Sequence, residues 1–191
     1  LPKVDLVLTD PPYGIGESAG KNKSRGKVAI ARDYGNLSWD DAPICQSIIN
    51  QLISLGKKAV VWGGNYYALP PSPSWLVWDK RNTGDFADCE LAWSNHGMAV
   101  RKIEHLWNGM IRQDQEQRYH PTQKPLKVMS WCLSFFPKAE TVLDPFMGSG
   151  TTLVAAKLQG KRAIGIEREE KYCEIAVQRL GQDSLFMEES A

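Results

Sequence analysis

Apolar and polar positions along this chain switch repeatedly between a period of two and a period near 3.6, and the switches mark its elements. Val4-Asp5-Leu6-Val7-Leu8-Thr9 reads as a strand, stopped by Asp10-Pro11-Pro12 because proline cannot continue a ladder. Ile44, Ile48, Leu52 and Leu55 fall at helical spacing, with Ser38 or Asp40 as the cap, Pro43 in the first turn and Gly56 as the stop. Residues 58–62 and 75–78 read as a second and a third strand, and Cys89, Leu91 and Trp93 place a fourth at 89–94, with 98–106 expected as its partner. Leu126, Met129, Leu133 and Phe136 mark a helix, followed by a strand at 141–143, a helix at 151–158 and a strand at 162–166. A last helix, 172–180, carries Tyr172, Ala176 and Leu180 on one face. Strands alternating with helices predict an α/β domain with a mostly parallel sheet covered on both faces.

One stretch keeps neither period. Residues 14–36 hold five glycines and a charge excess, with Lys21, Lys23, Arg25, Lys27 and Arg32 against Glu17 and Asp33. A structureless stretch of this length inside a compact domain is functional or disordered, and a mobile loop is expected here. The whole chain has a net charge of only +1, which excludes a generally basic nucleic-acid coat, so a polyanion contact is expected on this segment. No apolar run reaches the ~20 residues of a membrane span. The four cysteines are far apart with no C-x-x-C pair, which argues against structural zinc and a disulfide scaffold; no metal is expected, and a reducing, cytoplasmic setting is the simpler reading. The chain opens on Leu1-Pro2-Lys3 rather than Met, so further residues are expected upstream.

Two stretches carry chemistry. Asp144-Pro145-Phe146-Met147-Gly148-Ser149-Gly150-Thr151-Thr152 follows a strand and opens a helix. Glycines there allow close backbone approach to a ligand, and free N–H groups at the helix start favour an anionic group. Glu167 ends the next strand, where an acid can accept both hydroxyls of a ribose. No lysine follows Gly150, so this is not a phosphate-binding P-loop, and Leu153 stands where G-x-G-x-x-G needs its third glycine. The second stretch, Asp10-Pro11-Pro12-Tyr13, lies at the C-terminal end of a strand, where open α/β sheets place ligands. Consecutive prolines stiffen it. It offers a carboxylate, a backbone carbonyl and an aromatic ring, a set suited to a planar ring bearing an exocyclic amine. Asp10 and the Pro11 carbonyl would hold the amine hydrogens with the nitrogen lone pair aimed outward, and Tyr13 would stack on the ring.

At these residues the chain resembles a known family. Asp10–Tyr13 is similar to the catalytic turn of the amino-group methyltransferases, and 144–152 resembles their S-adenosylmethionine loop. His120-Pro121-Thr122-Gln123-Lys124-Pro125 resembles the element that precedes this loop in the β class of DNA amino-methyltransferases. Catalytic turn first and cofactor loop last is the order of that class. The resemblance implies a circularly permuted Rossmann-like methyltransferase fold with an antiparallel edge, as a single domain over 1–191 with a catalytic half (1–93) and a cofactor half (120–191). The stretch 94–119 departs from the family in leaving little room for a separate recognition domain, so this short segment is expected to read the target together with the loop at 14–36. The resemblance also implies methyl transfer from S-adenosylmethionine to a base flipped out of double-stranded DNA, as in restriction–modification. Asp10, Pro11, Pro12 and Tyr13 are then the expected catalytic residues. Asp144, Pro145, Phe146, Gly148, Ser149, Gly150, Thr151 and Glu167 are the expected cofactor residues, with Thr122 and Lys124 at the methionine end. Lys21, Lys23, Arg25, Lys27, Arg112 and Arg118, with Arg101 and Lys102, are expected to face DNA. Asp at the first position of the turn points to adenine N6, with cytosine N4 as the alternative. A homodimer is compatible with so small a DNA-binding subunit, although no residue demands it. A nicotinamide oxidoreductase would explain the glycine loop but not Asp10–Tyr13, and RNA or protein amino-methyltransferases normally place the cofactor loop first.

Overall fold

In the computed structural model, which describes residues 1–15, 42–81, 87–108, 111–112 and 116–182, one seven-stranded sheet organises the molecule. Its strands are β1 (Val4–Thr9), β2 (Gly56–Trp62), β3 (Ser74–Asp79), β4 (Cys89–Ser94), β5 (Arg101–Glu104), β8 (Thr141–Asp144) and β9 (Arg162–Gly165). They lie in the order β5-β3-β4-β2-β1-β8-β9. A short ribbon of β6 (Trp107–Asn108) and β7 (Ile111–Arg112) stands apart. The helices are α1 (Gln46–Leu55), α2 (Leu126–Ser134), α3 (Thr151–Leu158) and α4 (Glu170–Gly181).

The strand β1 is buried along almost its whole length and pairs in parallel with β2 on one side and β8 on the other. Leu6, Leu8, Val60 and Trp62 point to one face, where they pack with Val128, Met129, Cys132 and Leu133 of α2 and Ala155 and Ala156 of α3. Val7, Ala59, Val61 and Leu143 point to the other, over Ile53 and Leu55 of α1. This double-sided burial explains the near-continuous apolar run of β1. From β1 the chain crosses through α1 to β2 in one direction; from β8 it crosses through α3 to β9 in the other. The crevice between the C-terminal ends of β1 and β8 is therefore the topological switch point, where such sheets bind ligands.

Three expectations needed correction. The helix α1 starts at Gln46, because Pro43 forms an isolated bridge with Tyr13 and keeps the preceding chain extended. Its buried stripe is Ile49 and Leu52, while Ile48 faces solvent; the proposed caps Ser38 and Asp40 lie outside the described residues. The strand at Arg101–Glu104 does not partner β4. Both edges of β4 are already taken by β2 and β3, so the chain crosses over and adds β5 in parallel to the far side of β3. Ser72 and Ser74 fasten that crossing by donating to the Ser94 and Met98 carbonyls at 2.5 and 2.6 Å. The antiparallel strand is thus the interior β4 and not an edge. The segment 94–119, expected to read DNA, contributes one strand to the main sheet as well as the ribbon.

Candidate active site at the switch point

The two chemistry-bearing stretches meet. Thr9, the last residue of β1, donates its hydroxyl to Asp144 Oδ1 at 2.8 Å, so the turn Asp10–Tyr13 and the loop after β8 leave the sheet side by side. Asp144 is only 3% exposed and is the pin of this corner. Its Oδ1 also accepts the Phe146 backbone N–H at 3.1 Å, and Oδ2 accepts the Thr152 hydroxyl at 2.5 Å, tying strand, loop and helix to one carboxylate. Burial lifts its pKa to about 6, against the pull of those hydrogen bonds.

This has a consequence for stability. A carboxyl whose folded pKa lies above its unfolded value holds its proton more tightly when folded, so the folded state loses stability as pH rises through the window between about 4 and about 6. Asp144→Asn keeps the shape, and the two hydroxyls can rotate to suit it. Measured by urea unfolding, the variant should gain on the wild type by on the order of 2 kcal/mol between those pH values, with a constant difference above them.

Around the carboxylate of Asp10 lies a compact set of charges. Tyr13 donates its hydroxyl to Asp10 Oδ1, and the Lys124 ammonium sits 2.5 Å from Asp10 Oδ2, 3.3 Å from the Tyr13 hydroxyl and 3.0 Å from Glu90 Oε2. Lys80 pairs with the other oxygen of Glu90. Burial lifts the Asp10 carboxyl above its ordinary range, and Lys124 opposes it. Burial acts the same way on Glu90, but Lys124 and Lys80 outweigh it and hold that carboxyl down at about 2. Burial also raises the Tyr13 phenol well above its usual value, reinforced by the Asp10 and Glu90 charges, so it stays a neutral donor.

The ring of Tyr13 is held from three directions. Tyr66 stacks on it with centroids 4.9 Å apart and planes 13° from parallel. Tyr67 donates its hydroxyl to the Pro12 carbonyl at 2.5 Å, and Gly63, at φ +64°, leaves the space the ring edge fills. A Cβ on Gly63 would lie 2.0 Å from Tyr13 Cε1.

Across the crevice, the loop 145–150 turns through Gly148 (φ +50°) and Gly150 (φ +82°) into the N-terminus of α3. Phe146 and Gly148 are half-buried at its surface. A second network supports the loop from beneath. Arg179 of α4 donates to the Ser149 carbonyl at 2.8 Å, the Ser149 hydroxyl at 3.2 Å and the Thr151 hydroxyl at 3.0 Å, and pairs with Glu116 at 3.3 Å. Ser149 donates to Gln123 Oε1 at 3.0 Å, and Glu116 Oε2 accepts the Leu126 N–H at 2.7 Å, capping α2. Truncating Arg179 leaves the Glu116 charge buried and a carbonyl of the loop unpaired. Arg179→Met should therefore cost about 3 kcal/mol in chemical unfolding and weaken S-adenosylmethionine binding by calorimetry about tenfold.

The remaining expected residues are placed as follows. Pro145 and Thr151 are buried, and Glu167 lies past the end of β9, where its Oε1 accepts the N–H groups of Arg168 and Glu169 at 2.7 and 2.8 Å and so caps the turn before α4. Thr122 is bonded to His120 Nδ1 at 3.2 Å. Lys124, expected at the methionine end of the cofactor, pairs with Asp10 and Glu90. Arg118 donates to the His120 carbonyl at 3.2 Å, and Lys102 pairs with Glu104 and Asp79 at 2.8 and 3.3 Å. Lys21, Lys23, Arg25 and Lys27 lie outside the described residues, as does the side chain of Arg112. Among the described residues no cluster of His, Cys, Asp and Glu could hold a metal ion, and no helix is long and apolar enough to cross a membrane.

Glu90, Glu116 and Arg179 were not singled out from the sequence. Arg179 was legible: it stands seven residues after Tyr172 and three after Ala176, on the helix's buried stripe. Glu90 shares the strand face of Ala92, which is buried in the core.

Similarity to known proteins agrees with this geometry. A family model for N6/N4 methyltransferases, described as DNA methylase, matches residues 64–178. Type II methyltransferase M2.DpnII of Streptococcus pneumoniae is 40% identical over 224 residues, covering 93% of this chain and 82% of its own. The putative methylase YubD of Escherichia coli is 43% identical over 204 residues, covering 98% and 86%. The crystal structure of an M1.HpyAVI–SAM complex superposes with a TM-score of 0.56 at 24% identity, covering 94% of this chain and 90% of that one. The cytosine-N4-specific PvuII DNA methyltransferase superposes at 0.54 and 14% identity, covering 96% and 81%. At those identities the structures speak for the fold, and the sequence matches speak for the family: this chain belongs to the N6/N4 DNA methyltransferases, S-adenosylmethionine-dependent enzymes that act on DNA.

Proposed function

We propose that this enzyme methylates the exocyclic N6 of adenine, with Asp10–Tyr13 as the catalytic turn and the loop 144–151 as the cofactor cradle. The observation that carries the reading is the adjacency of the two, joined by the Thr9–Asp144 hydrogen bond at the switch point. The cradle suits S-adenosylmethionine: two left-handed glycines bring backbone close to the ligand, and the start of α3 presents N–H groups toward a carboxylate. Phe146 and Gly148 would line the methionine portion, and Glu167 would reach toward the ribose. When bound, the cofactor supplies a methyl group on an electrophilic sulfonium.

The protein's own part is orientation and charge. An aromatic amine is a poor nucleophile because its lone pair is delocalised into the ring. Asp10 and the Pro11 carbonyl each accept one of its hydrogens, which favours a pyramidal nitrogen with the lone pair directed at the cofactor loop. As the N–CH3 bond forms and the S–CH3 bond breaks, its electron pair leaving with sulfur as a neutral thioether, the nitrogen becomes cationic, and the Asp10 carboxylate would stabilise that charge at the place where it develops. The surplus proton then leaves to water. Pro12 keeps the turn rigid, and the Tyr13 ring, backed by Tyr66, offers a flat surface for a base taken out of the stack. Asp at the first position of the turn favours adenine. Unmethylated genomic DNA treated with enzyme and cofactor, then digested to nucleosides, should yield N6-methyladenine; N4-methylcytosine as sole product would replace that assignment.

A further inference from the structure

The charged groups around Asp10 form an alternating row, Lys80–Glu90–Lys124–Asp10, in which two ammoniums and two carboxylates balance. At its centre the Lys124 side chain is only 6% exposed and rests between two carboxylates, with the rings of Tyr13 and Trp62 each 5.6 Å away. Its ammonium is an N–H donor on Asp10 Oδ2, next to the Tyr13 hydroxyl, and so stands where the hydrogen of a target amine would be received.

We propose that Lys124 is a positioning residue for methyl transfer, a movable counter-ion that holds Asp10 ionised within the protein and yields its oxygen to the target amine by leaning on Glu90. The inference rests on the catalytic role given to Asp10 above and extends it. A neutral Asp10 would keep one good acceptor and gain a competing O–H, and it could not balance a positive charge on the amine nitrogen. A second cation fixed on the same oxygen would also work against that charge. Glu90 resolves the conflict, because it is a second carboxylate 3.0 Å from the ammonium. Lys80 keeps Glu90 ionised in turn.

Groups on every neighbouring element bear on Asp10. Lys124 precedes α2, Glu90 comes from β4, Tyr13 from the same turn and Asp144 from β8, while Lys80 acts through Glu90. Burial and the neighbouring Glu90 carboxylate favour the protonated acid, and Lys124 is the cation that offsets them. Removing that cation must therefore move the pH at which Asp10 becomes competent.

The test is the pH profile of kcat/KM for labelled methyl transfer into unmethylated genomic DNA, with S-adenosylmethionine affinity measured in parallel. For Lys124→Met the acid limb should move up by at least about one pH unit, an about tenfold loss below the limb that is recovered at high pH, with cofactor affinity retained. Lys124→Arg should keep the limb near its wild-type place. If Lys124→Met does not fold because it leaves Glu90 short of a partner, Lys124→Met with Glu90→Gln is read against Glu90→Gln alone, and the limb should still lie higher in the double variant. An unmoved limb, or loss at every pH, overturns the proposal; loss of cofactor affinity with an unmoved limb returns Lys124 to the cofactor site. Asp10→Ala, run alongside, separates the two layers: if it stays active, the catalytic reading of Asp10 fails, whatever Lys124 does.

Discussion

Asp10→Ala should reduce kcat for methyl transfer by about 10²–10³-fold, the scale seen when a preorganised group facing transition-state charge is removed, while S-adenosylmethionine binding stays within about threefold. The split follows from the geometry. Asp10 belongs to the turn after β1 and touches Tyr13 and Lys124, whereas the glycine loop hangs from Asp144, Gln123 and Arg179. Fold and stability should survive, because Lys124 keeps Glu90 as a partner. A proportionate loss of cofactor affinity would mean that Asp10 belongs to the cofactor's site.

The second large effect is expected at a glycine. Gly63 adopts φ +64°, and a Cβ there would collide with the Tyr13 ring edge at 2.0 Å. Gly63→Ala should therefore displace the ring that backs the target base and lower kcat by about 10²-fold, the cost of misplacing a reacting group by roughly an ångström. An alanine in a left-handed conformation also costs roughly 1–2 kcal/mol of stability. Gly97 provides the control: it has φ +86° and nothing within 4 Å of its would-be Cβ. Gly97→Ala should lose similar stability by thermal unfolding with activity intact, so the difference between the two variants isolates the displacement of Tyr13. Equal activities would remove the ring from the account.

What could be read from the sequence follows a physical line. The strands β1 and β4 and the helix α3 stand where the pattern put them, because each carries a strong local signal: prolines after Thr9, the Cys89, Leu91 and Trp93 spacing, and glycines before Thr151. The helix α1 was misread because the Tyr13–Pro43 bridge, a contact between distant residues, decides where it begins. The partner of β5 was misread for a similar reason, since a short connection suggests a hairpin while the occupied edges of β4 forbid one. The turn 10–13 and the loop 144–151 were legible as motifs, but their adjacency depends on β1 and β8 being sheet neighbours despite a separation in sequence of more than 130 residues. Lys124 shows the limit most clearly. Its motif placed it beside the cofactor elements, yet only the packing of 120–125 against β4 and the turn after β1 reveals Glu90 and Asp10 as its partners.

The central claim, that the crevice between β1 and β8 brings the target nitrogen and the methyl donor together, is tested most directly by a structure of the enzyme with S-adenosylmethionine and a duplex carrying its target base. The account predicts the flipped base on Tyr13, its amino group on Asp10 and Pro11, and the sulfonium methyl within about 3.5 Å of that nitrogen. A base and a cofactor seated on opposite sides of the sheet, or an amino group held by residues other than this turn, would contradict it.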